Sequence, residues 1–395
     1  MPVFVVQQAE AQGAHDHIAT FDPITGRPGW HQNLASTGVG FLVGPQAIFT
    51  LDDHTLTAYQ ASTGKRLWQD EEPANTQLNR FIATDADLLL IDEGGTDHSG
   101  ATVEHLVALD AATGHHRWVF QSGAIVEAVF APTEVYIGIT GAGSDANALA
   151  HQPGVVALSR QTGATLWSST ATHLIDVMQL IGHQLFVFSD FGVFAFDPQT
   201  GMVQWHVTEQ AVPVQILSDG HTLYVLLQVP GTLVAITMMT GVVQWSTPVL
   251  STATSSFQLA ACVIGTQVIV ADEDSLSVQS VRASDGVIQW SQPAQGTFAR
   301  LMCSADTAYL AGSAIRAVDG ATGVTRWQLP SSSRQLRSSG MVLTTTTAYV
   351  VAAQGDAQTV SLYALDPHRG TQRWVTPTTL SSGDPLMWQV DSTAS

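Results

Sequence analysis

Basic residues are scarce in this sequence of 395 residues. Lysine and arginine total 14, and Lys65 is the single lysine, whereas aspartate and glutamate total 33, which gives a formal net charge of −19. Binding to a nucleic-acid backbone depends on clustered cationic side chains. The composition therefore argues against nucleic acid and anionic membrane surfaces as partners.

Long apolar runs and cysteines are also few. No stretch approaches the roughly 18 consecutive apolar residues of a membrane-spanning helix, so no transmembrane segment is predicted. Cys262 and Cys303 are too few for a disulfide scaffold, and each lies in an apolar segment, so we expect buried free thiols. The N-terminal MPVFVVQQAEAQG has neither the basic nor the apolar region of a signal peptide, so none is expected in this chain.

What the sequence does contain is an internal repeat. Hydrophobic residues make up 45% of the chain, enough for a large core. A pattern Ala-x-Asp-x-x-Thr-Gly-x-x-x-Trp recurs along it, as in VALDAATGHHRW and FAFDPQTGMVQW, and in ATFDPITGRPGW with Thr20 at the alanine position. The intervals between successive motif glycines average about 43 residues, the period of a four-stranded propeller blade.

Each copy places a tryptophan four residues after a glycine. The nine pairs are Gly26 and Trp30, Gly64 and Trp68, Gly114 and Trp118, Gly163 and Trp167, Gly201 and Trp205, Gly241 and Trp245, Gly286 and Trp290, Gly323 and Trp327, and Gly370 and Trp374. In the sixth and seventh copies Thr237 and Arg282 replace the aspartate. We expect those turns to form nevertheless, because the glycine that supplies a positive φ remains.

Between motifs, short β-rich runs are bounded by turn residues, and no segment has a sustained helical period. The sequence predicts an all-β fold of four-stranded antiparallel blades, each with its tryptophan on the outermost strand against the neighbouring blade. We expect a single domain over residues 1–395, because no linker interrupts the repeat.

Nine motifs favour nine blades, with eight as the alternative. The predicted inner strands lie near Phe41, Phe81, Val129, Met178, Ile216, Ala261, Leu301, Val342 and Met387. The last of these would join the N-terminal blade, which starts without an inner strand, and so close the ring and remove an open sheet edge.

The motif resembles the tryptophan-docking motif of PQQ-like repeats in quinoprotein-type β-propellers, and the resemblance extends over the whole chain. The enzymes of that family bind PQQ and Ca²⁺ or a lanthanide, use an aspartate base, and commonly carry a Cys-Cys pair. This chain has no adjacent cysteines and only one tryptophan, Trp388, outside the motif. Neither cofactor is therefore expected, and PQQ with Ca²⁺ is kept as the alternative.

Fold resemblance leaves function open. We expect a non-catalytic binding or scaffold propeller that recognises a protein, peptide or glycan through loops on one face. Similar propellers are bacterial envelope assembly scaffolds and sensor domains, which implies an extracytoplasmic location. The alternatives are a quinoprotein-like oxidoreductase and a structural repeat domain of a larger envelope or sensor protein. A monomer is expected.

Candidate ligand-binding residues lie mainly in the variable connections of the third and fourth repeats, residues 92–105 and 140–154. Insertions in repeat proteins often form the binding face. The candidates are Asp92, Glu93, Asp97, His98, Glu104, Asp145, Asn147 and His151. Arg80 and Arg300, on predicted inner strands, could hold a small anion at a channel mouth. No catalytic motif and no complete set of metal ligands is apparent.

Overall fold

The computed structural model describes most of the chain, and the described residues form strands joined by turns and bends. The described residues are 4–8, 17–34, 40–52, 54–71, 76–96, 102–122, 124–140, 153–172, 175–189, 192–208, 213–228, 231–249, 259–272, 277–293, 298–312, 314–329, 336–354 and 359–381. None of their segments forms a helix long and apolar enough to cross a membrane.

The described residues divide into two compact units, and each is described by itself. The first unit comprises Met1–Asn33 and Ala211–Ser395, and the second comprises Leu34–Gln210. Within each unit, neighbouring strands of a sheet pair in antiparallel fashion and in chain order. Sheets are numbered here along the chain from 1 to 9.

The second unit contains four four-stranded sheets. Sheet 2 consists of β4 (Gly40–Val43), β5 (Ala47–Asp52), β6 (Thr55–Gln60) and β7 (Arg66–Glu71). Sheet 3 consists of β8 (Thr76–Thr84), β9 (Leu88–Thr96), β10 (Thr102–Asp110) and β11 (His116–Ser122). Sheet 4 consists of β12 (Ala124–Phe130), β13 (Glu134–Thr140), β14 (Gly154–Ser159) and β15 (Thr165–Ser169). Sheet 5 consists of β16 (Ile175–Ile181), β17 (Gln184–Ser189), β18 (Gly192–Phe196) and β19 (Val203–Val207).

The first unit contains a three-stranded sheet from the N-terminal segment and four four-stranded sheets. Sheet 1 consists of β1 (Phe4–Gln8), β2 (His17–Phe21) and β3 (Pro28–Asn33). Sheet 6 consists of β20 (Pro213–Ser218), β21 (Thr222–Leu227), β22 (Thr232–Thr237) and β23 (Val243–Pro248). Sheet 7 consists of β24 (Leu259–Ile264), β25 (Gln267–Asp272), β26 (Ser277–Arg282) and β27 (Ile288–Pro293). Sheet 8 consists of β28 (Phe298–Ser304), β29 (Thr307–Gly312), β30 (Ile315–Asp319) and β31 (Thr325–Leu329), and sheet 9 of β32 (Leu336–Leu343), β33 (Ala348–Gln354), β34 (Thr359–Leu365) and β35 (Gln372–Ser381).

Within each unit, the core lies between the faces of neighbouring sheets. The two middle strands of a sheet, such as β17 and β18, are buried along their length, whereas the fourth strands, such as β23, alternate between exposed and half-buried residues. Continuous apolar runs are expected for strands covered on both faces, and alternating runs for strands at an edge. This burial pattern explains why the sequence between motifs is so apolar.

The all-β prediction and the four-stranded antiparallel sheets are confirmed. Eight of the nine predicted inner-strand positions lie in the first strand of a sheet, from Phe41 in β4 to Val342 in β32. Met387, the predicted closing strand and Trp388 lie outside the described residues.

The expectation of free thiols is wrong. Cys262 in β24 and Cys303 in β28 form a disulfide with a Cα–Cα distance of 5.9 Å. Both side chains face the cluster of buried residues between sheets 7 and 8. The bond therefore joins the first strands of two neighbouring sheets, a contact that neither apolar segment reveals by itself.

Candidate functional site

Seven of the nine motif tryptophans lie against the motif turn of a neighbouring sheet in the same unit. A Cβ built on seven of the motif glycines would lie 2.4–2.8 Å from indole or neighbouring side-chain atoms, closer than real contacts allow. The seven pairs are Trp68 with Gly114, Trp118 with Gly163, Trp167 with Gly201, Trp245 with Gly286, Trp290 with Gly323, Trp327 with Gly370, and Trp374 with Gly26. Each of these indoles donates a hydrogen bond to a backbone carbonyl of the same turn.

The aspartate and glycine of the motif build that turn. In sheet 1, Asp22 Oδ1 accepts hydrogen bonds from the backbone N–H groups of Ile24 and Thr25, at 3.0 and 2.7 Å. Gly26 follows with a φ of 69°, a conformation that glycine adopts without strain. Turns that lack the aspartate also form: for example, Gly241 and Gly286 donate to the carbonyls of Thr237 and Arg282.

Arginines three residues after the motif glycine add ion pairs to several of these turns. Arg117 lies 2.6 Å from Asp110, and Arg326 lies 2.6 Å from both Asp306 and Asp319. Hydrogen bonds from these arginines lower the pKa of Asp110 and of Asp319 to about 2. These charges stabilise turns, so we do not assign them a ligand.

A β-bulge recurs in the first strand of several sheets, directly before a polar residue. Arg80, Glu127 and Gln215 each follow such a bulge. Arg80 Nη2 donates to the carbonyl oxygen of Ile125 in sheet 4. Glu127 and Gln215 are acceptors instead of donors: each side chain accepts a hydrogen bond from a backbone N–H in the first strand of the next sheet.

Sheet 3 differs from this pattern because its bulge stands beside a buried carboxylate. Asp92 in β9 pairs with Arg80 in β8 and is 8% exposed. Arg80 Nε lies 3.6 Å from Asp92 Oδ2, and the bulged residue Asn79 also hydrogen-bonds the carboxylate. Among the described residues, no partner contacts the buried Asp92 Oδ1.

Glu104 lies on the same face of sheet 3 as Asp92. Register pairs Glu104 with Gly94 and Leu106 with Asp92, so the two carboxylates are diagonal neighbours, with Gly94 between them. Burial raises the pKa of Asp92, and Arg80 only partly offsets this effect. Burial, and then repulsion from Asp92, raises the pKa of Glu104.

These residues form a polar cradle, which we define as Asn79, Arg80, Asp92, Gly94 and Glu104. A Cβ on Gly94 would lie 3.1 Å from Asn79 Nδ2, so the side-chain amide of Asn79 packs closely over Gly94. Burial is the main cause of the raised pKa of both carboxylates, whereas Arg80 and Asn79 lower the pKa of Asp92.

The structure brings together three of the predicted ligand residues, Asp92, Glu104 and Arg80. Glu93 pairs with His105 on the opposite face of sheet 3. Arg300 is exposed in β28 of the first unit, where it follows a bulge, and the anion site that it would share with Arg80 stays a prediction. Asp97, His98, Asp145, Asn147 and His151 lie outside the described residues.

Sequence reasoning missed Asn79 and Gly94. In the sequence Asn79 is an ordinary polar residue, and only the bulge in β8 takes it out of register. Gly94 belongs to a Gly-Gly pair, which is typical of loops. The extension of β9 through Thr96, which the sequence does not indicate, is what places Gly94 within a strand. Within the described ranges, no group of three or more His, Cys, Asp or Glu side chains could hold a metal ion.

Consecutive four-stranded antiparallel sheets joined by docked tryptophans are the architecture of a β-propeller made of PQQ-like repeats. The family model described as outer membrane protein assembly factor BamB matches residues 14–173, 103–261 and 189–393. These segments overlap and cover nearly all of the sequence. The chain belongs to this family.

One curated relative is outer membrane protein assembly factor BamB of Burkholderia pseudomallei (strain K96243), which is 33% identical over 151 residues. The match spans 36% of this chain and 36% of that relative, so it leaves most of the relative's length unmatched.

Solved structures share the fold at low sequence identity. A eukaryotic initiation factor has a TM-score of 0.62 and 12% identity, with 98% of both chains covered. Dihydro-heme d1 dehydrogenase NirN has a TM-score of 0.57 and 13% identity, with 96% of this chain and 74% of that chain covered. At these identities the likeness concerns the fold alone.

Proposed function

We propose that this protein is a non-catalytic scaffold that binds a protein partner outside the cytoplasm. The observation that carries the proposal is membership, across residues 14–393, in a family described as an outer membrane protein assembly factor. The relative in Burkholderia pseudomallei carries the same description. A partner that is a protein, rather than a glycan, follows from that description.

The disulfide supports the location. Cys262 and Cys303 bond across two sheets, and such bonds persist in oxidising compartments, whereas cytosolic thiols are kept reduced. Thiol alkylation of protein drawn directly from its native cells tests this point. A chain that reacts with no alkylating reagent until it is reduced is the expected result, and two reactive thiols in the untreated chain would contradict the location.

The fold proposal is a single domain forming a nine-bladed ring. Nine motifs, nine sheets in chain order among the described residues, and the contact of Trp374 with Gly26 all favour it. In this arrangement the segment after Ser381 supplies the missing inner strand of sheet 1, beside β1. Hydrogen exchange tests this arrangement. A chain that ends at Ser381 should lose protection in β1, and unchanged protection there would show that no closing strand pairs with β1.

Partner binding is tested by a photo-crosslinking amino acid placed at exposed positions in the native cells. Asn79 on the cradle and Lys65 in a motif turn are suitable exposed positions on different parts of the second unit. We expect a discrete adduct with one protein from a subset of positions. Absence of any adduct from a panel that covers all loops would overturn the scaffold role.

The oxidoreductase alternative has its own test. The purified protein is incubated with PQQ and Ca²⁺, desalted, and examined for quinone absorbance and for dye-linked alcohol oxidation. The scaffold role predicts that no cofactor is retained and no turnover occurs. Stoichiometric retention with turnover would replace the proposed function by an enzymatic one.

A further inference from the structure

We propose that a pocket between sheets 2 and 3 binds the phenyl ring of a phenylalanine that lies in an acidic segment of a protein partner. Both sheets belong to the second unit. That the ring comes from a protein rests on the proposed scaffold function, whereas the fit of an aromatic ring rests on the pocket alone.

The pocket is apolar at its floor and open to solvent at its mouth. Its volume is about 180 Å³. The lining residues Ala47, Phe49 and Ala111 are buried, whereas Leu67 and Ala112 line it and are exposed. An apolar cavity of roughly 150 Å³ holds a benzene molecule. The pocket therefore has room for one phenyl ring.

The space exists because the motif turn of sheet 3 carries small side chains. Ala111 follows the motif aspartate in sheet 3, and Arg160 stands at the same motif position in sheet 4. Between sheets 3 and 4, the guanidinium group of Arg160 lies 5.3 Å from the ring centre of Phe130. Between sheets 7 and 8, a Cβ on Gly320 at this position would lie 2.8 Å from Cδ1 of Ile264. A side chain thus fills the corresponding place in both of those interfaces.

Asp85, a charged residue of the lining, already has its partners. Its Oδ1 accepts two backbone N–H groups of its own turn at 2.9 Å, and Arg160 lies 2.5 Å from its Oδ2 and 3.5 Å from Asp87. The carbonyl oxygen of Ala111 accepts a hydrogen bond of 3.1 Å from Trp68 Nε1. Because these groups are satisfied, the pocket favours an apolar occupant over a polar one.

Charge at the mouth selects the surroundings of that ring. Lys65 and Arg66 are exposed and directly precede Leu67 in the chain. The carbonyl oxygen of Lys65 accepts a hydrogen bond of 2.8 Å from the backbone N–H of the lining residue Gln60. Arg66 Nη1 donates to the neutral side chain of Gln69. Charges farther away than about 8 Å are screened at physiological salt, so these two cations favour a segment with carboxylates beside its phenylalanine.

Methyl NMR of the isotope-labelled full-length protein tests the pocket. The methyl groups of Ala47 and Ala111 are followed while acetyl-Glu-Phe-Glu-amide is added to millimolar concentration. Acetyl-Glu-Ser-Glu-amide lacks the ring, and acetyl-Lys-Phe-Lys-amide reverses the charge. Sedimentation of the protein without peptide tests a second copy of the chain as the occupant.

Two matched pairs of variants locate the binding. Ala112→Leu puts a larger side chain at the mouth, and Ala321→Leu makes the same change at the equivalent motif position of sheet 8. Leu67→Ser removes an apolar contact, and Leu166→Ser makes the same change three residues after the motif glycine of sheet 4. All four residues are exposed, so we expect each variant to fold, and the methyl spectrum outside sheets 2 and 3 checks this.

We expect acetyl-Glu-Phe-Glu-amide to bind at least tenfold more tightly than the serine peptide and at least threefold more tightly than the lysine-flanked peptide. Ala112→Leu and Leu67→Ser should each weaken binding at least fivefold, and the two control variants should leave it unchanged. Absence of saturable shifts at Ala47 and Ala111 would overturn the proposal, as would equal weakening by a variant and its control.

The remaining outcomes identify a different occupant. Tighter binding of the lysine-flanked peptide would overturn an acidic segment, and a dimer that Ala112→Leu dissociates would assign the pocket to a second copy of the chain. Failure of the peptide titration would leave the crosslinking and cofactor tests of the scaffold role intact.

Discussion

Trp374 Nε1 donates a hydrogen bond of 3.2 Å to the carbonyl oxygen of Pro23, 351 positions earlier in the chain. The same indole lies against Gly26, and Thr376 Oγ1 donates to the carbonyl of Gly26. Sheet 9 is thereby held against sheet 1, within one unit.

Replacement of Trp374 by alanine should destabilise the protein by about 3 kcal/mol, the lower part of the range for loss of a large aromatic side chain, since this one is only half-buried. Trp374→Phe should cost less, because it keeps an aromatic ring and loses the hydrogen bond. Denaturant unfolding measures both. The exposed neighbour Val375 supplies the control, Val375→Ala, and equal midpoints for the two alanine variants would contradict the docking role.

A matched pair of glycines isolates the close approach of the indole. Gly163 and Gly182 have φ values of 69° and 61°, but a Cβ on Gly163 would lie 2.7 Å from Trp118, and one on Gly182 would meet nothing within 4 Å. Both alanine variants incur the left-handed backbone penalty of about 1–2 kcal/mol. Gly163→Ala should therefore lower the free energy of unfolding much more than Gly182→Ala does. Equal losses would show that the indole of Trp118 moves aside without an energetic cost.

Reduction of the disulfide should destabilise the first unit. Cys262 and Cys303 are separated by 41 residues, and the chain-entropy model gives about 4 kcal/mol for a loop of this length. Thermal unfolding with and without a thiol reductant measures the loss. The Cys262→Ala/Cys303→Ala double variant is the control: its unfolding temperature should be reduced already and should not respond to the reductant.

Acid should weaken the ion pairs of the motif turns over a defined pH range. The pKa of Asp319 falls from 3.8 to about 2 when the protein folds, chiefly because Arg326 donates to it. The pair therefore adds stability above pH 4 and loses it as the pH falls through about 2. Because both side chains are partly exposed, we expect at most about 1 kcal/mol.

The variant Arg326→Gln tests whether the stabilisation by this ion pair decreases as the pH falls. Its free energy of unfolding should lie below that of the parent protein at pH 7, and the difference should shrink as the pH approaches 2. A difference that stays constant over this range would assign the effect of Arg326 to packing of its side chain instead of to charge.

The repeat made much of the fold predictable. Asp22 and Gly26 act within five residues of each other, and the tryptophan follows at a fixed distance, so the turn and the fourth strand are encoded locally. The same locality explains why the turns of Gly241 and Gly286 were expected to form without the aspartate. Buried middle strands follow from continuous apolar runs.

Three of the five cradle residues were predictable from the sequence and two were not. Asp92, Glu104 and Arg80 are recognisable as charged residues on or beside apolar strands, but their shared face depends on the pairing of Glu104 with Gly94. Pairing register over a long hairpin is decided by the whole sheet. A shift of one residue would have placed Glu104 on the opposite face.

The sequence by itself determined the all-β class, the period of the sheets and the motif turns, because these depend on residues close together in the chain. Tertiary structure alone decided which distant groups meet. Cys262 and Cys303 face each other because their sheets are neighbours and their side chains point to facing surfaces. Asp92 keeps an unsatisfied oxygen because sheet 4 takes one of the donors of Arg80.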